Sequence, residues 1–273
     1  MLQARTWLPR AEGSVRLAFV RRGEQTVLDV LHQAGSARAR FPKPAYDAAP
    51  EAVLLNMAGG LTAGDRLDIA TTLATGARAT ITTAAAEKIY RALDGEATIR
   101  TRLELASEAR LAWLPQPTIL FDQARFDRRT EVALSADATF LAVEFLLFGR
   151  LAMGETVQRG LCRDVWRIRR DGKLAFADTL LLQGGVADTL ARSATAAGAR
   201  AVAMIVYIAP DAASRIDHAR ALLEDVGGTA GASTWDGMLV VRALANDGQT
   251  LQRDLIPLIE WLHGGCLPRV WQC

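Results

Sequence analysis

Apolar and polar residues alternate with a period of two through most of this chain, the pattern of strands with one face in a core and the other outside it. The beat is clearest at 15–20, 26–31, 66–69, 78–81, 98–105, 130–134 and 165–169. After the last of these, Asp171-Gly172 predicts a two-residue hairpin turn, since both central positions of a type I′ turn need positive φ, and 174–178 reads as the returning strand. The nearly unbroken apolar run 201–209 predicts a strand buried on both faces. Helical spacing is the minority signal. Asp211 is placed to N-cap a helix reaching about Asp225, with Ile216, Ala219, Leu222 and Leu223 on one face and Gly227-Gly228 beyond it. A second helix is predicted over 250–263 around Leu251, Leu255, Leu258, Ile259 and Leu262, with Pro257 kinking it or marking its first turn. A short third one is predicted over 83–92. The expected fold class is therefore mainly β: stacked or β-helix-like sheets of many short strands, with two or three α-helices.

No composition shift divides the chain, and no repeat of fixed period is evident, so a single domain over 1–273 is expected. The segment 41–50 reads as an extended loop, because each proline biases its predecessor away from helix. At 273 residues the chain is long enough to bury a sizeable core. Its 32 basic and 30 acidic residues nearly cancel, so neither nucleic acid nor membrane is an expected partner. The locally basic group Arg163, Arg167, Arg169, Arg170 and Lys173 alternates with apolar residues and reads as a solvated strand face. Cys162, Cys266 and Cys273 are too few and too scattered for a disulfide framework. The first thirteen residues show no signal-peptide pattern, and the most apolar stretch, around Glu144, is too short to span a bilayer. A cytoplasmic chain is expected.

Four segments could carry chemistry. Around Gly59, Gly60 and Gly64, with Asp65 following, the glycines suggest a phosphate loop. The Gly-Lys-Ser/Thr ending is missing, however, and a strand pattern follows, so a strand–turn–strand corner is the better reading. Thr82 and Thr83 could line a polar passage or cap a helix. Asp122, with Arg125 nearby, could face an interior channel or anchor a turn through backbone hydrogen bonds, and spacing alone favours the anchor. Glu144 sits in an apolar stretch where an ionised carboxylate needs a partner, with Arg150 the nearest candidate in sequence. Glu155 lies in the glycine-flanked turn that holds Gly149 and Gly154, and is expected to be more accessible. No zinc-type histidine pair and no Gly-x-Ser-x-Gly elbow occurs. A pair such as Asp122 and Glu155 could in principle serve a hydrolase, but aromatics, the usual sugar platforms, make up only 6% of the chain.

Taken in order, GGLTAGDRL at 59–67, TTAAAEKIYRA at 82–92, WLPQPTILFDQARF at 113–126, FGRLAMGE at 148–155 and RRDGKL at 169–174 resemble the UreD (UreH) family of urease accessory proteins. Ala58, Pro117 and Gln123 depart from the usual family pattern, which affects loop detail only. The resemblance implies a β-rich fold of two stacked sheets and a non-enzymatic role in assembling the nickel centre of urease. Implied partners are UreF, the GTPase UreG and the urease apoprotein. It also implies no tightly bound cofactor, with nickel in transit through an internal polar tunnel. Within the family motifs, Asp122 and Glu155 are then the first candidates to line that passage, with Glu144, Thr82 and Thr83 beside them. Weak oxygen ligands suit an ion that must leave as well as enter.

Overall fold

In a computed structural model of the chain, residues 10–43 and 49–272 are described. Of the loop expected over 41–50, residues 44–48 lie outside them, and the rest has no regular structure. The alternating segments all become strands: β1 (Glu12–Arg22), β2 (Gln25–Gly35), β3 (Ala37–Arg40), β4 (Glu51–Asn56), β5 (Arg66–Leu73), β6 (Arg78–Thr83), β7 (Glu87–Ile89), β8 (Ala97–Leu105) and β9 (Arg110–Leu114). They continue with β10 (Thr118–Leu120), β11 (Arg125–Leu134), β12 (Thr139–Phe148), β13 (Arg159–Arg170), β14 (Lys173–Gly185), β15 (Ala201–Ile208), β16 (Thr229–Trp235) and β17 (Met238–Ala245). Sheet one runs β14-β13-β11-β8-β5-β1-β2. Sheet two runs β16-β17-β15-β12-β9-β6-β4-β3, with β10 joining β12 to β7.

The chain winds between the sheets like a solenoid. β5, β8 and β11 lie parallel in sheet one, and each turns tightly into β6, β9 and β12, parallel in sheet two. Stacking of these turns is enforced by a backbone ladder: Ala106 N donates to Leu73 O, Ser135 N to Leu105 O and Asp171 N to Leu134 O. Beneath it Phe19, Leu73, Leu105 and Leu134 stand in register as a buried column. The matching Ala77, Ala109 and Ala138 are also buried, at unequal spacings that hide the repeat from a fixed-period search. The inner faces of both sheets make one core, and the outer face of sheet two makes a second with the helices.

The Asp171-Gly172 hairpin forms as expected between β13 and β14, with φ of 48° and 76°. Asp236-Gly237 repeats it between β16 and β17, at 46° and 68°, a signal equally present in the sequence and not read from it. The strand over 201–209 is β15, paired on both edges.

Among the described residues there are three α-helices: α1 (Val186–Ala191), α2 (Ile216–Ala221) and α3 (Gly248–His263). α3 is N-capped by Asp247, whose side chain accepts from Thr250 N at 2.7 Å, and ends on Gly264 at φ 78°. Pro257 sits in its interior, not its first turn. Its leucines, including Leu255 and Leu258, are buried against sheet two, each contributing about 1.5–3 kcal/mol. The expected helix from Asp211 to Asp225 shrinks to a 3₁₀ turn and α2, because the Asp211 carboxylate is taken by Tyr207 and Arg215 and caps nothing. The helix expected over 83–92 does not form. β7 lies there instead, because pairing with β10 outweighs the helix preference of three alanines. No helix among the described residues is long and apolar enough to cross a membrane.

Candidate functional site

The four richest motif segments, far apart in sequence, become successive corners at one end of the winding. Leu61 bridges Ile89, Ile89 pairs with Leu120 and Leu120 with Phe148, a fully buried column on parallel backbone. Gly60 and Gly149 stand where other parts of these corners approach the backbone closely. A Cβ on Gly149 would lie 2.6 Å from the Glu155 carbonyl oxygen at φ 90°, and one on Gly60 would strike the Tyr90 ring. Gly59, Gly64 and Gly154 also have positive φ but open surroundings or only a flexible arginine beside them. The strand–turn–strand reading of the glycine segment holds.

Carboxylates pin these corners by accepting from backbone amides. Asp65 takes Ala11 N and Thr62 N, both at 2.8 Å. Asp122 Oδ1 takes Gln158 N at 2.8 Å and Arg159 N at 3.1 Å, which is the turn-anchor geometry. Glu155 ties three pieces together: its Oε1 accepts from Asp122 N at 3.2 Å, and its Oε2 accepts from Arg150 N at 3.1 Å and Arg150 Nε at 2.8 Å. Arg150 in turn lies 4.2 Å over the Phe121 ring. Arg125 donates to Gly95 O and approaches Glu96. Partial burial works to raise the Asp122 carboxyl, but the amides of Arg159 and Gln158 outweigh it and hold it below the ordinary range. The Arg150 guanidinium does the same for Glu155. Asp122 and Glu155 are thus brought together, with their oxygens occupied by the corner itself.

Arg150 is committed to Glu155, so it cannot be the partner of Glu144. That partner is Arg128, from β11 of the opposite sheet: its Nη2 lies 2.7 Å from Glu144 Oε1 and 2.8 Å from Asp164 Oδ2. Arg128 Nε donates to Asp164 Oδ1 and Nη1 to Thr118 Oγ1, both at 3.0 Å. All four residues are buried. Two carboxyls share one guanidinium, so a proton on one of them makes the cluster neutral. Burial drives the Glu144 carboxyl well above its usual range; Arg128 pulls it back and Asp164 raises it again, and the cost of burial prevails. Glu144, Asp164, Trp166 and Met204 also line a cavity of about 90 Å³, together with the partly exposed ion pair of Asp178 and Arg242 at 2.8 Å. Buried Trp166 Nε1 has no hydrogen-bond partner among the described residues.

A second cavity, of about 250 Å³, lies among β3, β4 and the turn after β6, open to the surface beside exposed Met57 and Lys88, and Thr83, Asn56 and Glu87 line it. Glu87 accepts from Asn56 Nδ2 at 3.1 Å, and burial pushes its carboxyl up to about 7. In the β7–β10 ladder Glu87 stands opposite Thr118. The interior polar groups therefore follow one another from Asn56 and Glu87 through Thr118 and Arg128 to Glu144 and Asp164. Thr83 faces this interior. Thr82, its strand neighbour, faces the other way and lies under Trp271, which donates to its Oγ1 at 3.2 Å. The two threonines do not line one passage.

Glu87, Arg128 and Asp164 were missed as site residues. Glu87 lay inside a motif segment and could have been singled out there. Arg128 and Asp164 sit in ordinary strand alternation, and only the register of β11 with β13 makes them a pair. Among the described residues no three His, Cys, Asp or Glu side chains converge as a metal-binding group.

The UreD urease accessory protein family model matches residues 11–272. Proteins named urease accessory protein UreD are similar along nearly their whole length. The one from Rhizobium leguminosarum bv. viciae is 48% identical over 263 residues, covering 96% of this chain and 95% of its own. That of Methylobacterium sp. (strain 4-46) is 49% identical over 270 residues with the same coverage, and that of Xanthobacter autotrophicus is 47% identical, with 96% and 90% covered. With the family pattern matched from the first described strand to the last buried tryptophan, this chain belongs to the UreD family of urease accessory proteins.

Proposed function

We propose that this chain works in urease maturation as a conduit and docking platform, passing nickel toward the urease apoprotein while held in complex with UreF and the GTPase UreG. The role as a urease accessory protein, and not an enzyme, rests on family membership. The finer reading rests on one observation: interior oxygen groups succeed one another between two cavities, from Glu87 through Thr118 to Glu144 and Asp164. Single carboxyl and hydroxyl oxygens hold a divalent ion weakly, and weak sites let cargo move on. In this reading nickel is cargo in the cytoplasm, Thr83 and Glu144 line its route, and no tightly bound cofactor is needed. Asp122 and Glu155 hold the ends of β10 and β12, the strands that carry Thr118 and Glu144. A docking role is supported at the same corners, where Met57, Leu93 and Met153 are exposed, an apolar strip of the kind that partners cover. The apolar side chains of α3, by contrast, are spent on sheet two and leave no such surface there.

The test is co-expression of Glu87→Gln and Glu144→Gln with the accessory partners and urease. Complexes should still assemble in pull-downs, while nickel content and urease activity fall several-fold. Asp122→Ala and Glu155→Ala are assayed alongside. Full activation by all four variants in intact complexes would leave a plain tether, with no metal route through this chain.

A further inference from the structure

A separate cavity, about 460 Å³, lies on the outer face of sheet two, on the opposite side of the sheet from the polar interior. Its floor follows from strand register. Ala79, Leu111 and Phe140 point into the inter-sheet core, so their neighbours Arg78, Arg110 and Thr139 point outward, side by side in one row. The next row holds Glu51, Thr80, Ala112, Leu141 and Tyr207. One wall is the end of α3, where His263 Nε2 lies 3.1 Å from Thr80 Oγ1. Arg215 lines another side, but it is committed to Asp211 at 2.7 Å and stacked on the rings of Tyr207 and Trp261.

Arg78 and Arg110 are different. They stand directly opposite one another on paired strands, where like charges repel, and neither guanidinium has a carboxylate within ion-pairing distance among the described residues. Ala112, small and central, leaves room before them. Glu51, the one acidic residue lining the cavity among the described residues, makes no ion pair with either arginine. Two unneutralised planar forks at the edge of a cavity with hydroxyl donors are matched by an oxyanion, whose paired oxygens accept bidentate bonds from guanidinium.

We propose that this cavity binds a small oxyanion, a phosphate or a carboxylate, on the Arg78–Arg110 pair. The full chain, alone or in its accessory complex, is titrated calorimetrically with inorganic phosphate and, separately, succinate, against chloride at matched ionic strength. Saturable binding of one of the two is expected, and the tighter one identifies the source chemistry. Arg78→Gln and Arg110→Gln should each weaken it by about tenfold or more, as loss of a charge-assisted bidentate contact predicts. Glu51→Gln should tighten it several-fold, a gain that misfolding cannot imitate. Absence of binding by both anions, undiminished binding in the arginine variants, or weaker binding in Glu51→Gln would overturn the proposal.

Discussion

The Arg128 cluster shows how a buried residue is chosen by its charge balance. Glu144 stood out in sequence as a carboxylate inside an apolar stretch, but its partner could not be read there. Arg150 is six residues away, which on an extended strand is roughly 20 Å, whereas Arg128 reaches it from the opposite sheet. Because Glu144 is raised above its unfolded value, the folded state binds an extra proton. Its contribution to stability is complete below the ordinary carboxylate range and is lost as pH rises through the raised value. Urea unfolding of the full chain should therefore show stability falling toward mildly alkaline pH, and Glu144→Gln should flatten that slope at little cost in acid. Removing Arg128 instead leaves two carboxyls unpaired, and Arg128→Ala should cost about 3–5 kcal/mol.

Among elements, strands were legible wherever one face is buried, because a period of two survives any tertiary context. The corners were legible only as motifs, since what makes them corners is the next turn of the winding. Alanines at 84–86 carry a helical preference, yet Glu87 to Ile89 completes a ladder between Leu61 and β10. The two glycines of the turn before Glu155 separate conformation from crowding. Gly154→Ala meets nothing and should cost about 1–2 kcal/mol for its left-handed backbone alone. Gly149→Ala adds a clash with the Glu155 carbonyl and should cost clearly more, read as a larger fall in denaturation midpoint. Equal losses would mean that the close approach is not held in solution.

Across the whole molecule, stability should be graded by position in the winding. β8, β9, β11 and β12 are flanked on both sides, while β2 and β16 are edge strands whose side chains are largely exposed. Native-state hydrogen exchange should find the slowest amides in the former and faster, locally opening ones in the latter. A uniform rate across both groups would argue for all-or-none opening. The general plan, two stacked sheets wound from short strands, was available from periodicity and the family motifs together. The stacking order was not, because unequal coil lengths hide it until turn is laid on turn.

Trp271 closes over Thr82 and Leu114, and α3 packs beside it, so the second core is sealed by residues made after all the strands. On a ribosome adding about 5–20 residues per second, the outer surface of sheet two is bare for seconds while its cover is still being synthesised. The nascent chain therefore passes through an interval in which a sticky, strand-rich face awaits its lid, and an early partner or a general chaperone present in that interval would decide how much of it reaches the native state.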